Sequence, residues 1–388
     1  MLPSQRKAPG TSTPSRTLRG AQALDGLLNP TPYLDQLKAI NDRLPKKKGV
    51  VIFLPSVGQD IINTQRSHHL AREFTRQDYL AIFDSSNSFD DVSGFKEIEP
   101  NLFLFRGPSE VLATIRDPIL WTLTYNFDRR DVYPASARTV YDWIDEFEVF
   151  NFDRAFLQRN HQRALSEATL VLTVARRLHE KAVAERPDAL YVPNGVEYEH
   201  FSGQFAQVMD PVDIDISLPD GKPIAGYYGA MAEWFDYELL DAVAGLRSDW
   251  NFLLIGPMYD DSLRERGRSM MRRPNIHWIG HREYRNIPAY LHLFDVAMIP
   301  FAINNITLAT SPLKLYEYFA GGKPVVTTAM PECQAFAEVQ IAGDPEEFSR
   351  ALDIARTQGQ DHQFRERLRQ LGLENSWTSR VQRVLKHL

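Results

Sequence analysis

The chain has 388 residues, which is enough for two domains, and its 43% hydrophobic and 24% charged residues are typical of an ordinary globular protein. The single cysteine, Cys333, excludes an internal disulfide and a cysteine-rich metal site, and it fits a reducing compartment. Residues 1–48 carry nine Lys or Arg and three Asp or Glu, so the net charge of −6 conceals an acidic remainder of −12, which argues against a nucleic-acid partner.

The first 45 residues are predicted to be a disordered basic leader. Residues 1–30 are rich in Pro, Gly, Ser and Thr and lack a hydrophobic period, whereas residues 33–44 favour a short helix. Three lysines follow at 46–48, and a basic segment of this kind either contacts anionic lipid head groups or is a plain disordered tail. No apolar run approaches the roughly 18 residues that span a bilayer, and the N-terminus lacks the apolar core of a secretory signal. We expect a cytoplasmic protein, and peripheral contact with the inner face of the membrane stays open.

Residues 46–205 are predicted to form a first α/β domain. An apolar run over 49–55, typical of a buried parallel strand, leads through a turn at Gly58 into a helix over 65–76. Ligands of parallel sheets bind at the carboxyl ends of the strands, so Gly58 lies either where the backbone approaches a substrate or at a mere turn. Further strands are predicted over 79–83, 101–105, 119–123, 138–142 and 170–174.

Charged residues accompany two of these elements. Arg66 and His68 open the helix, where successive side chains point about 100° apart and therefore do not all face one site. Asp142 and Asp145 lie at the end of the strand over 138–142, and in a doubly wound sheet that end faces the ligand. An acidic loop exposed to solvent has the same pattern. The residues alone leave open whether these carboxylates act on a substrate.

Residues 223–372 are predicted to form a second α/β domain, after an interdomain linker over 206–222. The linker contains Asp-Pro and Pro-Asp-Gly turns and no hydrophobic period. Strands of the second domain end at Gly229, Gly256 and Gly280 without the fingerprint Gly-x-Gly-x-x-Gly, which indicates a nucleotide that is not a dinucleotide. Two alternating halves of this kind predict an α/β protein with two Rossmann-like domains facing a cleft.

A helix in the second domain carries two sequence signals, one for the ends of the helix and one for an anion-binding site. Ser311 is a good N-cap, Pro312 suits the first helical position, and two glycines at 321–322 end the helix. Lys314 then lies in the first turn, where a cation opposes the helix dipole by roughly 0.3–1 kcal/mol. A bound anion removes this conflict, because backbone N–H groups, the dipole and the ammonium together form a phosphate site. Glu317 lies on the same face and is placed to accept hydrogen bonds from sugar hydroxyls. A Lys–Glu pair exposed to solvent on a helix surface has the same spacing, so this alternative stays open.

Several motifs resemble those of GT-B glycosyltransferases, in particular the family 4-like bacterial relatives of the teichuronic-acid type that assemble polysaccharides. Gly-Tyr-Tyr-Gly-x-x-x-x-Trp-Phe-Asp, Leu-Ile-Gly-Pro and Pro-Leu-Lys-Leu-Tyr-Glu-Tyr occur over 224–328 in the order of the family, and Glu-Asn-Ser-Trp-Thr over 374–378 is similar to its ending. The resemblance implies the GT-B fold. It makes 46–205 the acceptor-side domain and 223–372 the nucleotide-sugar domain, and it implies a C-terminal helix over 373–388 that crosses back to the first domain.

The resemblance also implies a donor site. Lys314 matches a contact to the diphosphate, and Glu317 matches the second of two glutamates eight positions apart, which holds the ribose in the family. The first glutamate falls at Ala309, so that half of the motif is missing. Gly229 would approach the diphosphate, and the backbone after Gly280 would flank the base. The implied donor-binding residues are Gly58, Gly229, His281, Arg282, Thr310, Ser311, Leu313, Lys314 and Glu317.

The acceptor side is implied in the first domain. Arg66 and His68 resemble an Arg-x-His element that follows the first strand in related polysaccharide enzymes, and Asp142 is placed on the same side. Asp145 lies at a strand end where a general base is needed to take the proton of the attacking hydroxyl, with Asp142 as its competitor. A base at Asp145 and the missing glutamate at Ala309 together permit inversion at the anomeric carbon.

The predicted function is transfer of a sugar from a nucleotide-diphosphate sugar, with a UDP-sugar favoured, to a glycan or lipid-linked acceptor in surface polysaccharide biosynthesis. No metal and no further cofactor are expected, since the helix dipole and Lys314 can stabilise the departing diphosphate. Two alternatives remain. A nucleotide-sugar 2-epimerase would use the same fold without an acceptor, and a non-catalytic nucleotide-binding scaffold would explain Ala309.

Overall fold

The computed structural model describes residues 30–58, 64–86, 88, 90–203, 218, 221–259 and 261–388, without the side chains of 261–264. Residues 1–29 of the predicted leader and most of the predicted linker lie outside this range. The chain divides into two compact units. The first unit comprises Met1–Thr173, Leu178–Tyr191 and Val381–Leu388, and the second comprises Val174–Arg177 and Val192–Arg380.

The first unit is built on an eight-stranded sheet with the order β3-β4-β2-β1-β5-β6-β7-β8. Neighbouring strands are parallel except for the antiparallel pair of β3 and β4. Since β1 pairs with both β2 and β5, the strand order reverses between β1 and β5, which is where open α/β sheets bind ligands. The strands are β1 (Gly49–Phe53), β2 (Tyr79–Asp84), β3 (Gly94–Glu99), β4 (Leu102–Arg106), β5 (Ile119–Thr122), β6 (Arg138–Trp143), β7 (Leu170–Thr173) and β8 (Leu190–Tyr191).

Helices cover this sheet because its central strands are apolar on both faces, as parallel strands usually are. In β1, the residues Val50, Val51, Ile52 and Phe53 are all buried. The helices are α1 (Thr31–Asn41), α2 (Arg66–Arg76), α3 (Ser109–Leu112), α4 (Arg154–Glu167) and α5 (Arg176–Glu185), of which α5 begins in the second unit.

Part of the predicted leader is folded, and the predicted boundary of disorder at residue 45 is therefore wrong. Leu37 and Ile40, one turn apart on α1, are buried in the same hydrophobic cluster as Val50 of β1. The Gln36 side chain adds a hydrogen bond, accepting at 2.9 Å from the backbone N–H of Phe95. The helix expected at 33–44 thus belongs to the first unit.

The second unit is built on a six-stranded, fully parallel sheet with the order β11-β10-β9-β12-β13-β14. Its order reverses between β9 and β12, so the loops that follow these two strands meet at the switch point. The strands are β9 (Ile224–Tyr228), β10 (Asn251–Ile255), β11 (Ile276–Trp278), β12 (Val296–Ile299), β13 (Val325–Thr327) and β14 (Gln340–Ile341).

Nine helices accompany the remaining described chain: α6 (Tyr198–Phe201), α7 (Tyr237–Leu246), α8 (Asp261–Met270), α9 (Ile287–Leu293), α10 (Leu313–Ala320), α11 (Pro331–Gln334), α12 (Pro345–Gln360), α13 (His362–Glu374) and α14 (Trp377–Leu385). The end of α14 belongs to the first unit, which includes Val381–Leu388. None of the helices in the described ranges is long and apolar enough to cross a bilayer.

Candidate functional site

Glycines at the strand ends of the second unit allow a close approach of the backbone. Gly229 follows β9 with φ +133°, and Gly256 follows β10 with φ +139°. A Cβ added to Gly256 would lie 2.0 Å from the carbonyl oxygen of Gly229, and one added to Gly229 would lie 3.0 Å from Cε of Lys314. The glycine at 229 therefore leaves the space that the Lys314 side chain occupies.

Helix α10 begins one residue later than predicted. Its N-cap is Pro312, and no side chain caps its first turn. Ser311, the predicted N-cap, is used elsewhere, because its hydroxyl accepts a hydrogen bond at 3.2 Å from the backbone N–H of Asn194 and lies 3.4 Å from the Tyr316 hydroxyl. The backbone N–H of Leu315 donates to the backbone oxygen of Pro312 at 3.0 Å, so the N–H groups of Leu313 and Lys314 are the ones that can bind another acceptor.

The segment before α10 is held in place by side chains. The amide nitrogen Nδ2 of Asn194 donates to the backbone oxygen of Ser311 at 2.7 Å, and Thr310 Oγ1 donates to the backbone oxygen of Ile306 at 2.8 Å. The role of Asn194 as an anchor for α10 was missed because its partner lies 117 residues away.

Lys314 presents a desolvated cation beside this helix start. Its ammonium lies 4.8 Å from the ring centre of Phe301 and 5.3 Å from that of Tyr227. Within the described part of the chain, Nζ has no hydrogen bond and no ion pair. Burial lowers the pKa of Lys314 to about 8, against the opposing effect of Glu317. A desolvated ammonium without a hydrogen bond or ion pair is costly, and a bound anion would reduce that cost.

Glu317 is buried, with 2% of its surface exposed, so the interpretation of Lys314 and Glu317 as a solvated surface pair is wrong. The hydroxyl of Tyr228, at the end of β9, donates to Oε2 at 2.8 Å. The other oxygen, Oε1, has no partner in hydrogen-bonding geometry among the residues that the structure describes, and the hydroxyl of Tyr284 is near enough to lower the pKa of the carboxyl. Burial raises the pKa of Glu317 to about 7, although the Tyr228 hydrogen bond and Lys314 both act to lower it. A buried acceptor of this kind suits a ligand hydroxyl.

The residues predicted beside the base have different environments. His281 is exposed, whereas the guanidinium of Arg282 folds back on its own loop. Arg282 donates to the backbone oxygens of Ile279 at 2.6 Å and His281 at 2.9 Å, and to the Tyr290 hydroxyl at 2.8 Å. The Arg282 side chain therefore supports the loop that follows β11.

In the first unit, Arg66 and Asp142 are brought together as a buried ion pair. Nε of Arg66 donates to Oδ2 of Asp142 at 2.8 Å and Nη2 donates to Oδ1 at 3.1 Å, and Trp121 Nε1 also donates to Oδ2 at 3.1 Å. Both carboxylate oxygens are thus occupied by protein donors. This arrangement ties α2 to the sheet and leaves Asp142 poorly suited to accept a proton from a substrate.

Gly58 and His68 also contact each other in the first unit. The ring of His68 accepts from the backbone N–H of Gln65 at Nδ1 and donates from Nε2 to the backbone oxygen of Gly58, both at 3.0 Å. Burial, together with His69, lowers the pKa of His68 to about 4, so the ring is neutral. A Cβ on Gly58 would lie 2.7 Å from Oδ1 of Asp90. Gly58 is therefore packed against side chains of the first unit, namely His68 and Asp90.

The carboxylate of Asp145 differs from that of Asp142 in accepting no hydrogen bond from the described residues. The backbone oxygen of Asp145 accepts from Trp143 Nε1 at 3.0 Å, but its carboxylate forms no hydrogen bond or ion pair within the described ranges. Burial of the carboxyl, with a smaller effect of the charge on Glu146, raises the pKa of Asp145 to about 7. A carboxylate with this pKa is suited to general-base chemistry near neutral pH.

The chain has two α/β units, each built on a parallel or mostly parallel sheet, as in the GT-B fold, and the predicted fold class is confirmed. The chain is similar in structure to HepE of Anabaena in complex with UDP, with a TM-score of 0.61 and 12% identity over 87% of this chain and 98% of that chain. It is also similar to a glycosyltransferase of Rickettsia africae, with a TM-score of 0.65 and 12% identity over 87% of this chain and 97% of that chain. A third similar structure is the sucrose-phosphate synthase of Thermosynechococcus elongatus, with a TM-score of 0.61 and 16% identity over 87% of this chain and 98% of that chain.

A family match lies within the second unit. Residues 222–355 match the family described as Glycosyl transferases group 1. A relative named for teichuronic acid biosynthesis, the glycosyltransferase TuaH of Bacillus subtilis, is 28% identical over 275 residues, or 67% of this chain. The matched region spans 66% of the length of TuaH. The predicted relationship to bacterial polysaccharide-assembly glycosyltransferases is confirmed.

Proposed function

We propose that this protein is a glycosyltransferase that transfers a sugar from a nucleotide-diphosphate sugar to a glycan or lipid-linked acceptor in surface polysaccharide biosynthesis. The match to the group 1 family and the similarity to TuaH support this function, and neither supports the epimerase or the scaffold alternative. The observation that carries the proposal is the Lys314 ammonium, desolvated and without a hydrogen bond or ion pair in the described chain, beside the uncapped start of α10.

In the proposed donor site, the diphosphate lies between Gly229 and the first turn of α10. The Lys314 ammonium and the first-turn N–H groups hold the diphosphate oxygens and stabilise the charge that develops when the diphosphate departs. Glu317 accepts hydrogen bonds from the ribose hydroxyls at Oε1. A UDP-sugar is favoured as donor, because the HepE structure was determined with UDP. This chemistry needs no metal ion.

In the proposed reaction, a hydroxyl oxygen of the acceptor attacks the anomeric carbon as the bond from that carbon to the diphosphate oxygen breaks. Asp145 takes the hydroxyl proton, and the nucleoside diphosphate leaves with the electron pair. Ala309, where related enzymes have a glutamate, is buried and supplies no carboxylate. We propose inversion on these grounds.

The cellular location is proposed from the sequence alone. A cytoplasmic protein with peripheral contact at the membrane would meet both a soluble donor and a lipid-linked acceptor. The basic segment that would mediate this contact begins in residues outside the described structure.

Nucleotide binding tests the proposed function. We expect calorimetry on the full chain to show binding of UDP in preference to 2′,3′-dideoxy-UDP, because Glu317 pairs with the ribose hydroxyls. Glu317→Gln should reduce this preference about tenfold, the effect of losing a hydrogen bond to a charged group. The same samples are then assayed for sugar transfer with UDP-sugars. Absence of binding to every nucleoside diphosphate at millimolar concentration would show that the proposed function is wrong.

A further inference from the structure

A pocket of about 340 Å³ is lined entirely by residues of the first unit. Its aromatic wall consists of Tyr125, Phe152 and Phe156. Tyr125 follows β5, and the other two residues lie at the start of α4, in the segment that follows β6. Because β5 and β6 are parallel neighbours and β5 borders the switch point, these loops meet at the edge of the sheet where ligands bind.

The aromatic wall is ordered by its own packing. The rings of Tyr125 and Phe152 are stacked, with centroids 5.3 Å apart and planes 3° from parallel, and the buried Phe150 packs edge-on against Tyr125 at 5.2 Å. Nevertheless, Phe152 leaves 50% of its surface exposed. An apolar ring held flat and open to solvent is of little use to the core, but it can stack on a ligand.

Polar groups surround this open ring face. Asp128, Asp153 and Arg129 complete the wall of the pocket. The guanidinium of Arg129 forms no hydrogen bond or ion pair within the described chain, and the carboxylate of Asp128 accepts one hydrogen bond there, at Oδ1 from Asn160 Nδ2 at 3.2 Å. The charges favour a ligand that carries hydroxyl groups, since a bare alkyl chain would desolvate them without pairing them.

Asn126, which also lines the pocket, connects the loops at the switch point. Asn126 donates from Nδ2 to the backbone oxygen of Pro55 at 2.9 Å, after β1, and its Oδ1 accepts from the backbone N–H of Leu123 at 2.7 Å. Burial and, to a smaller extent, the negative charge of Asp145 raise the pKa of Tyr125, so the proposed base lies within electrostatic range of this side chain. The size of the pocket is at the lower end for small-molecule sites, about 300–1,000 Å³, and suits one or two sugar rings rather than a long polymer.

We propose that the pocket formed by Tyr125, Phe152 and Phe156 is a subsite for a pyranose ring of the acceptor. This inference rests on the proposed glycosyltransferase function. One apolar face of the pyranose stacks on Phe152 through its C–H groups, while its hydroxyls pair with Asp128, Asp153 and Arg129. The acceptor is then recognised by a sugar, not by a lipid tail.

Saturation-transfer NMR on the full chain tests the subsite, with the methyl glycosides of glucose, galactose, mannose and N-acetylglucosamine as probes. We expect at least one glycoside to bind the wild type, with the signal strongest at its ring C–H protons. Phe152→Ala should weaken that binding about 3- to 10-fold, because it removes the stacking face, and Phe152→Tyr should restore it. As a matched control, Val132→Ala changes an apolar residue of the same unit that is 40% exposed and outside the pocket, and it should have no effect.

Parallel calorimetry with UDP separates this inference from the proposed function. If UDP binds equally to all four proteins while only Phe152→Ala loses the glycoside, the subsite is supported. If UDP binds but the glycosides bind equally to Phe152→Ala, or to none of the proteins, the subsite is wrong and the glycosyltransferase function stands. Binding of 1,6-hexanediol in place of the glycosides, lost in Phe152→Ala, would identify an alkyl site and overturn the inference. Failure of UDP to bind the wild type would instead contradict the proposed function.

Discussion

At the scale of single residues, the charge on Lys314 should govern binding of the donor. Replacing Lys314 with Met removes a charge-assisted contact worth about 1.5–3 kcal/mol, so affinity for UDP should fall at least about tenfold.

The unliganded Lys314→Met variant should be as stable as the wild type or more so. Burial lowers the pKa of Lys314 from 10.5 to about 8, and its charge therefore costs folding energy below pH 8. The cost fades as the pH rises from 8 to 10.5, and affinity for UDP should weaken over the same range as the ammonium loses its proton. Calorimetry and thermal unfolding across this range measure both effects.

Lys323 provides a matched control for Lys314. Burial lowers its pKa to about 8 as well, but its ammonium donates to the backbone oxygens of His292 at 2.9 Å and Phe294 at 2.8 Å. Lys323→Met should therefore lower the melting temperature and leave the UDP affinity of the folded protein unchanged. If Lys314→Met and Lys323→Met both bind UDP as the wild type does, Lys314 does not contact the diphosphate.

Asp142 should matter for stability. Asp142→Asn removes the charge that pairs with Arg66 in a site where the side chains are 8% and 1% exposed. Breaking a buried ion pair by removing one partner typically costs about 3–5 kcal/mol. We expect urea unfolding to show a loss of this order, with UDP affinity unchanged in the remaining folded protein. A stability equal to that of wild type would mean that the ion pair contributes little to the fold and would reopen Asp142 as a candidate base.

At the scale of secondary-structure elements, α1 should stabilise the first unit. Leu37 is 2% exposed, whereas Leu34, one turn earlier on the same helix, is 38% exposed. Leu37→Ala should cost about 2–5 kcal/mol because it leaves a cavity under the helix. Leu34→Ala is the matched control and should stay within about 0.5 kcal/mol of the wild type. Equal urea midpoints for the two variants would show that α1 does not pack as described.

Most strands could be predicted because an apolar run is a local property of the sequence. β3 was missed for a physical reason: it is an antiparallel edge strand with one neighbour, so Lys96 and Glu97 remain at the surface and break the apolar pattern. The N-cap at Ser311 was also mispredicted, since the Ser311 hydroxyl is engaged by Asn194, far away in the chain. Edge pairing and distant hydrogen bonds leave no local signal.

In the candidate site, too, local spacing could be predicted from the sequence, whereas contacts between residues distant in the chain could not. The spacing of Lys314 and Glu317 was visible in the sequence, but the burial of Glu317 depends on packing that includes Tyr228, 89 residues away. The sequence likewise presented Asp142 and Asp145 as similar carboxylates. Arg66, on another element, pairs with Asp142 alone, and this tertiary contact distinguishes the two.

At the scale of the whole molecule, the proposed base and the proposed donor residues belong to different units. Asp145→Asn should therefore lower kcat by about 10²–10⁴-fold, the usual contribution of a general base, and leave affinity for UDP unchanged. Stability should hold or rise, because burial raises the pKa of Asp145 from 3.8 to about 7 and its ionised form is thus costly in the folded state. In the wild type, kcat/KM should fall as the pH drops below about 7, since the base must be deprotonated. Wild-type turnover in Asp145→Asn would show that another group takes the proton.

The stereochemical outcome tests how the whole molecule performs the transfer. Inversion needs a base for the attacking hydroxyl and stabilisation of the departing diphosphate, and the chain offers Asp145 for the first and Lys314 with the α10 N–H groups for the second. Ala309 is 1% exposed and has no carboxylate to place beside the donor sugar. With an α-linked UDP-sugar we therefore expect a β-linked product, which the anomeric proton coupling in NMR will identify. The UDP released is quantified in the same sample, so that transfer is distinguished from donor hydrolysis. An α-linked product would rule out inversion even if Asp145 proves essential, and would mean that the donor sugar reacts on the face from which the diphosphate leaves.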